Sequence, residues 1–470
     1  MKNSVLDMLK NFSYTFTSNL VSLIISSLIV LVIPKVIGVE EYGYWQLYLF
    51  YTSYVGFLHF GWNDGIYLRY GGEKYDSLDK NLFFSQFWSL GVFQLFLGLL
   101  IFFLGNIFNE NINDKILLIS FSINLIIVNV RYFISYLLQA TNRLKEFAFS
   151  TILDRVLFLF IIITLLVLSK IGFEQMIIAD LISKSVSFTY LIFKCNDIII
   201  RNFKNFRFSL NESIKSISVG IKLMFANIAS NLILGIIKFG IQFTWSVATF
   251  GKISLTLSIS NLIMTFINAL SLAIFPILRR LKKDKMIALY TIFRTLLTIT
   301  LLGLVLIYYP LNAILAAWLP KYQDSLKFMV LVFPMIVFES KVSLLTNTYL
   351  KTIREEKMIL KVNLISVLIS LLLTVISTLL IKSITAAMLS IVIVLGLRSI
   401  LAELELSKKI NITYKKDLIL EILMVTFFIF SGWYFNTLSG FLIYGIVYLG
   451  YLLFRKSDIK GVIQLLKLKN

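Results

Sequence analysis

Long apolar runs separated by short polar connections fill this 470-residue chain. A bilayer core about 30 Å thick is crossed by roughly 20 apolar residues in a helix. On that measure about fourteen spans are expected, at 12–33, 44–61, 82–105, 116–139, 148–168, 174–195, 216–246, 253–275, 287–308, 326–350, 360–381, 384–406, 417–435 and 438–454. Polar residues recur within several of them at helical spacing. The first carries Thr15, Asn19, Ser22 and Ser26, and the fourth Asn124, Arg131, Ser135 and Gln139. The seventh carries Asn227, Asn231, Lys238 and Gln242, and the eighth Ser254, Ser258, Asn261, Thr265 and Asn268. Such recurrence puts the residues on one helix face. Ser and Thr there serve interhelical hydrogen bonds in any bundle. Amides and cations avoid lipid, so stripes that contain them are expected to line a wet cavity. Pro34, Pro276 and Pro310 fall at expected helix ends, whereas Pro334 lies inside the tenth span and should kink it.

Composition agrees with an all-α polytopic membrane protein: 58% of residues are hydrophobic. The charge pattern orients it. Connections alternate between Lys/Arg-rich and Lys/Arg-poor, with 30 of the 45 basic residues on the rich side and 7 on the poor. The positive-inside rule then puts both termini in the cytoplasm. The net charge of +20 sits mostly in those inner loops, so anionic lipid headgroups are the expected neighbours and nucleic acid is not. The single Cys195 and single His59 exclude a disulfide framework and a cysteine or histidine metal cluster. The first apolar run is long enough to span and has no small-residue cleavage site after it, so it reads as an uncleaved helix. Abundant Ile, Lys, Asn and Phe resemble AT-rich bacterial coding.

The longest inner connection, 196–215, contains IIIRNFKNFRF, which alternates apolar with basic residues and reads as an amphipathic segment on the inner surface. It divides the chain into an N-terminal lobe (1–200), a linker (201–215), a C-terminal lobe (216–410) and a final helix pair with a cytoplasmic tail (411–470). Spans one and seven are both rich in Asn and Ser, which suggests two pseudo-symmetric six-helix lobes, with the last two helices appended. The longest outer connection is expected at Tyr309–Ser325, with Trp318 and Tyr322 at the membrane interface.

The remaining cations, Arg131, Arg155, Lys184, Lys222, Lys238, Arg294, Lys341 and Arg398, fall inside apolar spans. Some can snorkel, Arg155 above all. Asp180 precedes Lys184 by one turn and is expected to pair with it. Glu339 and Lys341 point to different faces, which leaves Glu339, like Asp180, a candidate for proton or cation coupling. Glu403, Glu405 and Glu421 are expected in solvent near the inner surface. On this reading cations outnumber buried acids. The surplus should draw an anion, and phosphate oxygens suit both Arg and Lys.

Several segments then resemble a known family in order along the chain. They are GVEEYGYWQLY at Gly38–Tyr48, FLHFGWNDGIYLRYGG at Phe57–Gly72, the Phe250-Gly251-Lys252 turn and FPILRRL at Phe275–Leu281. The chain resembles oligosaccharide flippases of the Wzx type, in the multidrug/oligosaccharidyl-lipid/polysaccharide (MOP) exporter superfamily, which has a MATE-like fold. The resemblance implies two lobes around a central cavity and alternating access, coupled to a proton or sodium gradient. It implies undecaprenyl-pyrophosphate-linked oligosaccharide as substrate, carried across the bacterial inner membrane for O-antigen or another surface polysaccharide. A polymerase and a chain-length regulator are implied partners. Carried onto this chain, the pyrophosphate would be held by Arg131, Lys222, Lys238, Arg294, Lys341 and Arg398. Asn19, Asn124, Asn227, Asn231 and Asn261 would contact sugars. The extra helix pair resembles a groove that shelters a polyprenyl tail. The arginines that lipid II flippases carry in their first helices are absent, which argues against a peptidoglycan precursor.

Two other classes are weighed. Polymerases and ligases acting on lipid-linked sugars use a long outer loop with acids, arginines or a histidine, and here the outer loops are short, so no enzyme is expected. A cation-coupled multidrug exporter on the same fold would favour buried carboxylates over cavity cations, opposite to the balance read here.

Overall fold

A computed structural model describes residues 2–108, 110–279, 283–410, 412, 415–435 and 437–458. Among the described residues all regular structure is helical. The chain forms two compact units, Met1–Ile228 and Ala229–Asn470.

The first unit contains α1 (Lys2–Val36), α2 (Val39–Thr52), α3 (Trp62–Arg69), α4 (Lys80–Phe108), α5 (Ile112–Ala140), α6 (Leu144–Val167), α7 (Phe173–Lys194), the short α8 (Asn196–Ile199) and the start of α9 (Leu210–Thr244). α1 packs on α6, α4 on α5 and α6 on α7. Helix starts follow ordinary capping. Asn111 accepts the Asn113 amide ahead of α5, and Glu40 and Glu41 occupy the first turn of α2, where the helix dipole favours anions. Pro34 lies in the last turn of α1 rather than beyond its end.

The expected second span is not one helix. After α2 comes a 3-10 turn, Val55–His59, and then Phe60 (φ 52°) and Gly61 (φ 81°) take left-handed backbone before α3. Gly61 is the residue that takes this conformation freely. A Cβ on Gly61 would lie 2.5 Å from the Ile221 amide nitrogen, one on Gly65 1.8 Å from the Ser216 carbonyl, and one on Gly220 2.0 Å from the Gly61 carbonyl. The Gly-x-x-x-Gly spacing thus brings the backbones of α3 and α9 into direct contact, as small residues do between membrane helices. The break also frees carbonyls, which cannot be left bare at membrane depth. Asn129 donates to Val55 O (3.0 Å), and Gln94 to Leu58 O (3.0 Å).

The linker forms no continuous amphipathic helix. It is α8, a 3-10 turn at Phe203–Asn205, and then α9 from Leu210. Phe203 packs against Phe84 and Trp88 of α4 (ring centroids 5.4 and 5.2 Å). Asp197 accepts from Tyr75 (2.9 Å) and pairs with Lys80 (2.7 Å). Partial burial alone would raise the Asp197 carboxyl, but Lys80 and Tyr75 outweigh it and hold it below the usual range.

The second unit holds the rest of α9, α10 (Val247–Arg279), α11 (Lys283–Leu304), α12 (Tyr308–Trp318), α13 (Gln323–Leu326), α14 (Met329–Val332), α15 (Met335–Ser340), α16 (Thr348–Thr352), α17 (Glu356–Thr374), α18 (Ile384–Ile410), α19 (Lys415–Tyr434) and α20 (Thr437–Phe454). The outer connection expected at Tyr309–Ser325 is instead mostly helical. Pro310 is the third residue of α12, a first-turn position that proline tolerates. Tyr322, expected at the interface, is fully buried. Pro334 breaks the tenth span between α14 and α15, and Lys341–Asn347 is a π-helical stretch leading into α16. This interrupted helix is almost wholly buried and forms the unit's core.

Among the described residues, 13 helices are long and apolar enough to cross a membrane. The broken α2–α3 span brings the count to the expected fourteen or so. The protein is a multi-pass membrane protein. Expectations placed on Thr265 and Asn268 and on the 275–281 segment lie outside the described side chains.

Candidate functional site

Four helices build a polar cluster in the first unit. Tyr48 on α2 donates to Asp180 Oδ2 on α7 (2.6 Å), and Lys184, one turn later, pairs with the same oxygen (2.5 Å). Asn124 on α5 donates to the Tyr48 hydroxyl (2.7 Å) and reaches Asp180 at 3.4 Å. Trp45 stacks between Tyr48 and Phe158 and walls the cluster (5.6 and 5.9 Å). Further along α5, Arg131 pairs with Asp154 on α6 (2.7 Å). The expected Asp180–Lys184 pair is present, and Asn124 belongs to this cluster rather than to an open stripe.

The second unit concentrates more charge. Glu403 on α18 is fully buried and takes both Arg294 of α11 and Lys341 of the π-helical stretch, the latter at 2.7 Å. Lys341 also pairs with Glu421 on α19 (2.5 Å), and Arg294 with Asp417 on α19. Asp417 in turn pairs with Arg455, just past α20 (2.7 Å). Separately, Arg398 holds Glu339 (2.5 Å), Asn363 (3.1 Å) and Ser230 (3.1 Å).

These contacts correct the charge balance. Glu403 and Glu421 are not in solvent: they are buried between cations. Asp154 and Asp417 also serve as partners. The surplus expected around Arg131, Arg294, Lys341 and Arg398 is absent, because each already faces a carboxylate. Glu339, which had looked free, is the partner of Arg398. Carboxylates on other helices at similar depth were the available signal, but their distance along the chain hid the pairing.

The remaining expected site residues are placed differently. Asn19, Lys222, Asn227, Asn231 and Asn261 are exposed. Lys238 is half-buried, its Nζ 6.0 Å from the Phe250 ring centroid. Among the described residues no carboxylate pairs with Lys222. An amide facing hydrocarbon is costly unless its hydrogen bonds are met. Exposed Asn side chains on helices this apolar are therefore suited to water or a polar ligand.

Residues 8–282 match the family described as polysaccharide biosynthesis protein. The chain belongs to this family. No curated protein matches it. Among solved structures, the family member is similar to the lipid II flippase MurJ in an inward closed conformation (15% identity, TM-score 0.66, 95% of this chain and 99% of that one). It is also similar to an inward-facing multidrug resistance MATE family transporter of the MOP superfamily (13% identity, TM-score 0.64, 84% and 98%). A MATE protein in complex with MaL6 is more distant (12% identity, TM-score 0.56, 86% and 96%). At these identities the likeness establishes the fold. The first two of these fold neighbours are a flippase and a transporter. The protein is a member of a polysaccharide biosynthesis family with a MATE- and MurJ-like helical fold.

Proposed function

We propose that this protein moves undecaprenyl-pyrophosphate-linked oligosaccharide from the cytoplasmic to the outer leaflet of the bacterial inner membrane, by alternating access and with both termini inside. The observation that carries the reading is the set of exposed amides on apolar helices, Asn19, Asn227 and Asn231, in a member of a polysaccharide biosynthesis family. Amides give and accept hydrogen bonds and so match hydroxyl groups. Lys222 is the cation best placed for the pyrophosphate, since it displaces no carboxylate on binding. Arg131, Arg294, Lys341 and Arg398 would each have to exchange a carboxylate for a phosphate. Lys238 is the second choice, and Asp180 and Glu339 remain the candidates for proton or sodium coupling. The product is O-antigen or another surface polymer, with a polymerase and a chain-length regulator downstream.

The multidrug reading shares the fold. It needs carboxylates open to a cationic drug, whereas Asp154, Asp180, Glu339, Glu403 and Glu421 are all paired. The test is translocation of a fluorescent polyprenyl-pyrophosphate oligosaccharide in proteoliposomes, alongside a cationic dye. The wild type should move the glycolipid and not the dye. Lys222→Ala should slow transport about tenfold with unchanged thermal stability, the loss expected for one charge-assisted hydrogen bond. Transport of the dye alone would overturn the proposal.

A further inference from the structure

A polar cavity lies in the second unit. It has a volume of about 490 Å³ and is walled by α12, α13, α19 and the start of α20. This size is within the range that takes small ligands. Its lining mixes two kinds of surface. Tyr308 and Trp433 give aromatic faces, while Asn312, Gln323, Asp324 and Lys327 give polar groups. Three observations point to a ligand. The Asn312 carbonyl oxygen is buried without a hydrogen-bond partner among the described residues, a state that costs free energy unless a donor arrives. Asp324 lines the cavity, is exposed and forms no ion pair with a described residue. Lys327 makes no ion pair either: its ammonium rests 4.8 Å from the Trp433 ring centroid.

The charge decides the ligand class. One carboxylate and one ammonium share the space, so a phosphate meets Asp324 and a cationic drug meets Lys327. A neutral polyhydroxyl ring suffers neither repulsion. Its hydroxyls donate to the Asp324 oxygens and accept from Lys327 and Gln323, and its carbon-bound hydrogens lie on aromatic rings. We infer that this cavity is a sugar subsite, which takes one ring of an uncharged glycan at the Lys/Arg-poor, outer end of the last helices. The inference rests on the flippase reading for the source of the glycan, and not for the binding itself.

The experiment is saturation-transfer NMR on the full-length protein in nanodiscs, with methyl glycosides of glucose, galactose and N-acetylglucosamine as probes. Transfer to the ring protons of at least one probe is expected. Binding should weaken about tenfold in Asp324→Ala, the loss expected for a hydrogen bond to a charged group. Ala316→Trp, which fills the cavity from α12, should abolish it. Asp324 and Lys327 are exposed, so Lys327→Ala is a second variant that keeps the fold. Absence of transfer from all three probes, or undiminished transfer in Asp324→Ala and Lys327→Ala, overturns the subsite. So does binding of glycerol phosphate in preference to the glycosides. Failure of the wild type to translocate glycolipid sinks the flippase reading alone, because sugar binding is read without transport.

Discussion

The two units use buried charge in different ways. In the first, the buried acids sit in single pairs: Asp154 with Arg131, and Asp180 with Lys184. In the second, Arg294 and Lys341 share Glu403, and each holds a further acid on α19. A pair joins two helices or one turn to the next. A network joins many, and this one carries Asp417 and Glu421 of α19 and Arg455 beyond α20. Hydrophobicity gives helices in lipid no reason to associate, so polar contacts and close packing must hold them. The final two helices are fastened by that network and by hydroxyls: Tyr309 with Ser431 (2.7 Å), Tyr444 to Leu302 O (3.0 Å) and Tyr448 to Ile299 O (2.9 Å). The first unit fastens α3 to α9 by glycines in backbone contact and by Arg69, which pairs with Glu212 (2.7 Å) and donates to Ser216 (2.8 Å). Charge in this protein therefore marks structure as readily as it marks a binding site.

The sharpest break of this comparison is Glu403→Ala. It takes one of two acids from each of two buried cations at once, and the expected cost is about 3–5 kcal/mol, the range for breaking a buried ion pair. Thermal unfolding in detergent reads it, and an unchanged midpoint would mean that the network bears no load. A smaller effect separates pair from network. Arg131→Ala or Asp154→Ala alone should cost about 3 kcal/mol, yet the double replacement Arg131→Leu with Asp154→Leu should fall within about 1 kcal/mol of wild type. No double replacement within the Glu403 network should be so mild, because a third charged partner remains there. The smallest effect lies at the surface. Asp197→Asn should cost about 1 kcal/mol or less, since its pair with Lys80 is one-third exposed. The sign follows from the lowered carboxyl. Its contribution is complete above the ordinary aspartate pKa and is lost as pH falls through the lower folded value. The stability difference between wild type and variant should vanish at acid pH and persist at neutral pH.

Much of the fold could be read directly from residue order. Span positions, the kink at Pro334 and the Gly61–Gly65 spacing depend on neighbours within a turn or two. The 309–325 stretch misled because Pro310 reads as a helix end, although proline is equally at home in a first turn, and Tyr322 then turned inward. The break after α2 was missed because His59, Phe60 and Gly61 sit in an apolar run with no other warning. Its repair by Asn129 and Gln94 comes from helices far along the chain. The candidate site was less legible still. Exposed Asn19, Asn227, Asn231 and Asn261 follow from helical period, but the standing of each cation does not.

The sequence by itself determined that this chain crosses a membrane about fourteen times, which family it resembles, and which residues carry charge at membrane depth. Those properties are local: length of apolar run, helical repeat and loop charge. Only the tertiary structure decided which charges are already neutralised. Arg294 finds its acids 109 and 123 residues away, at Glu403 and Asp417. Burial makes such a meeting favourable only when the partner is present, and no pattern along the chain records which helix will supply it.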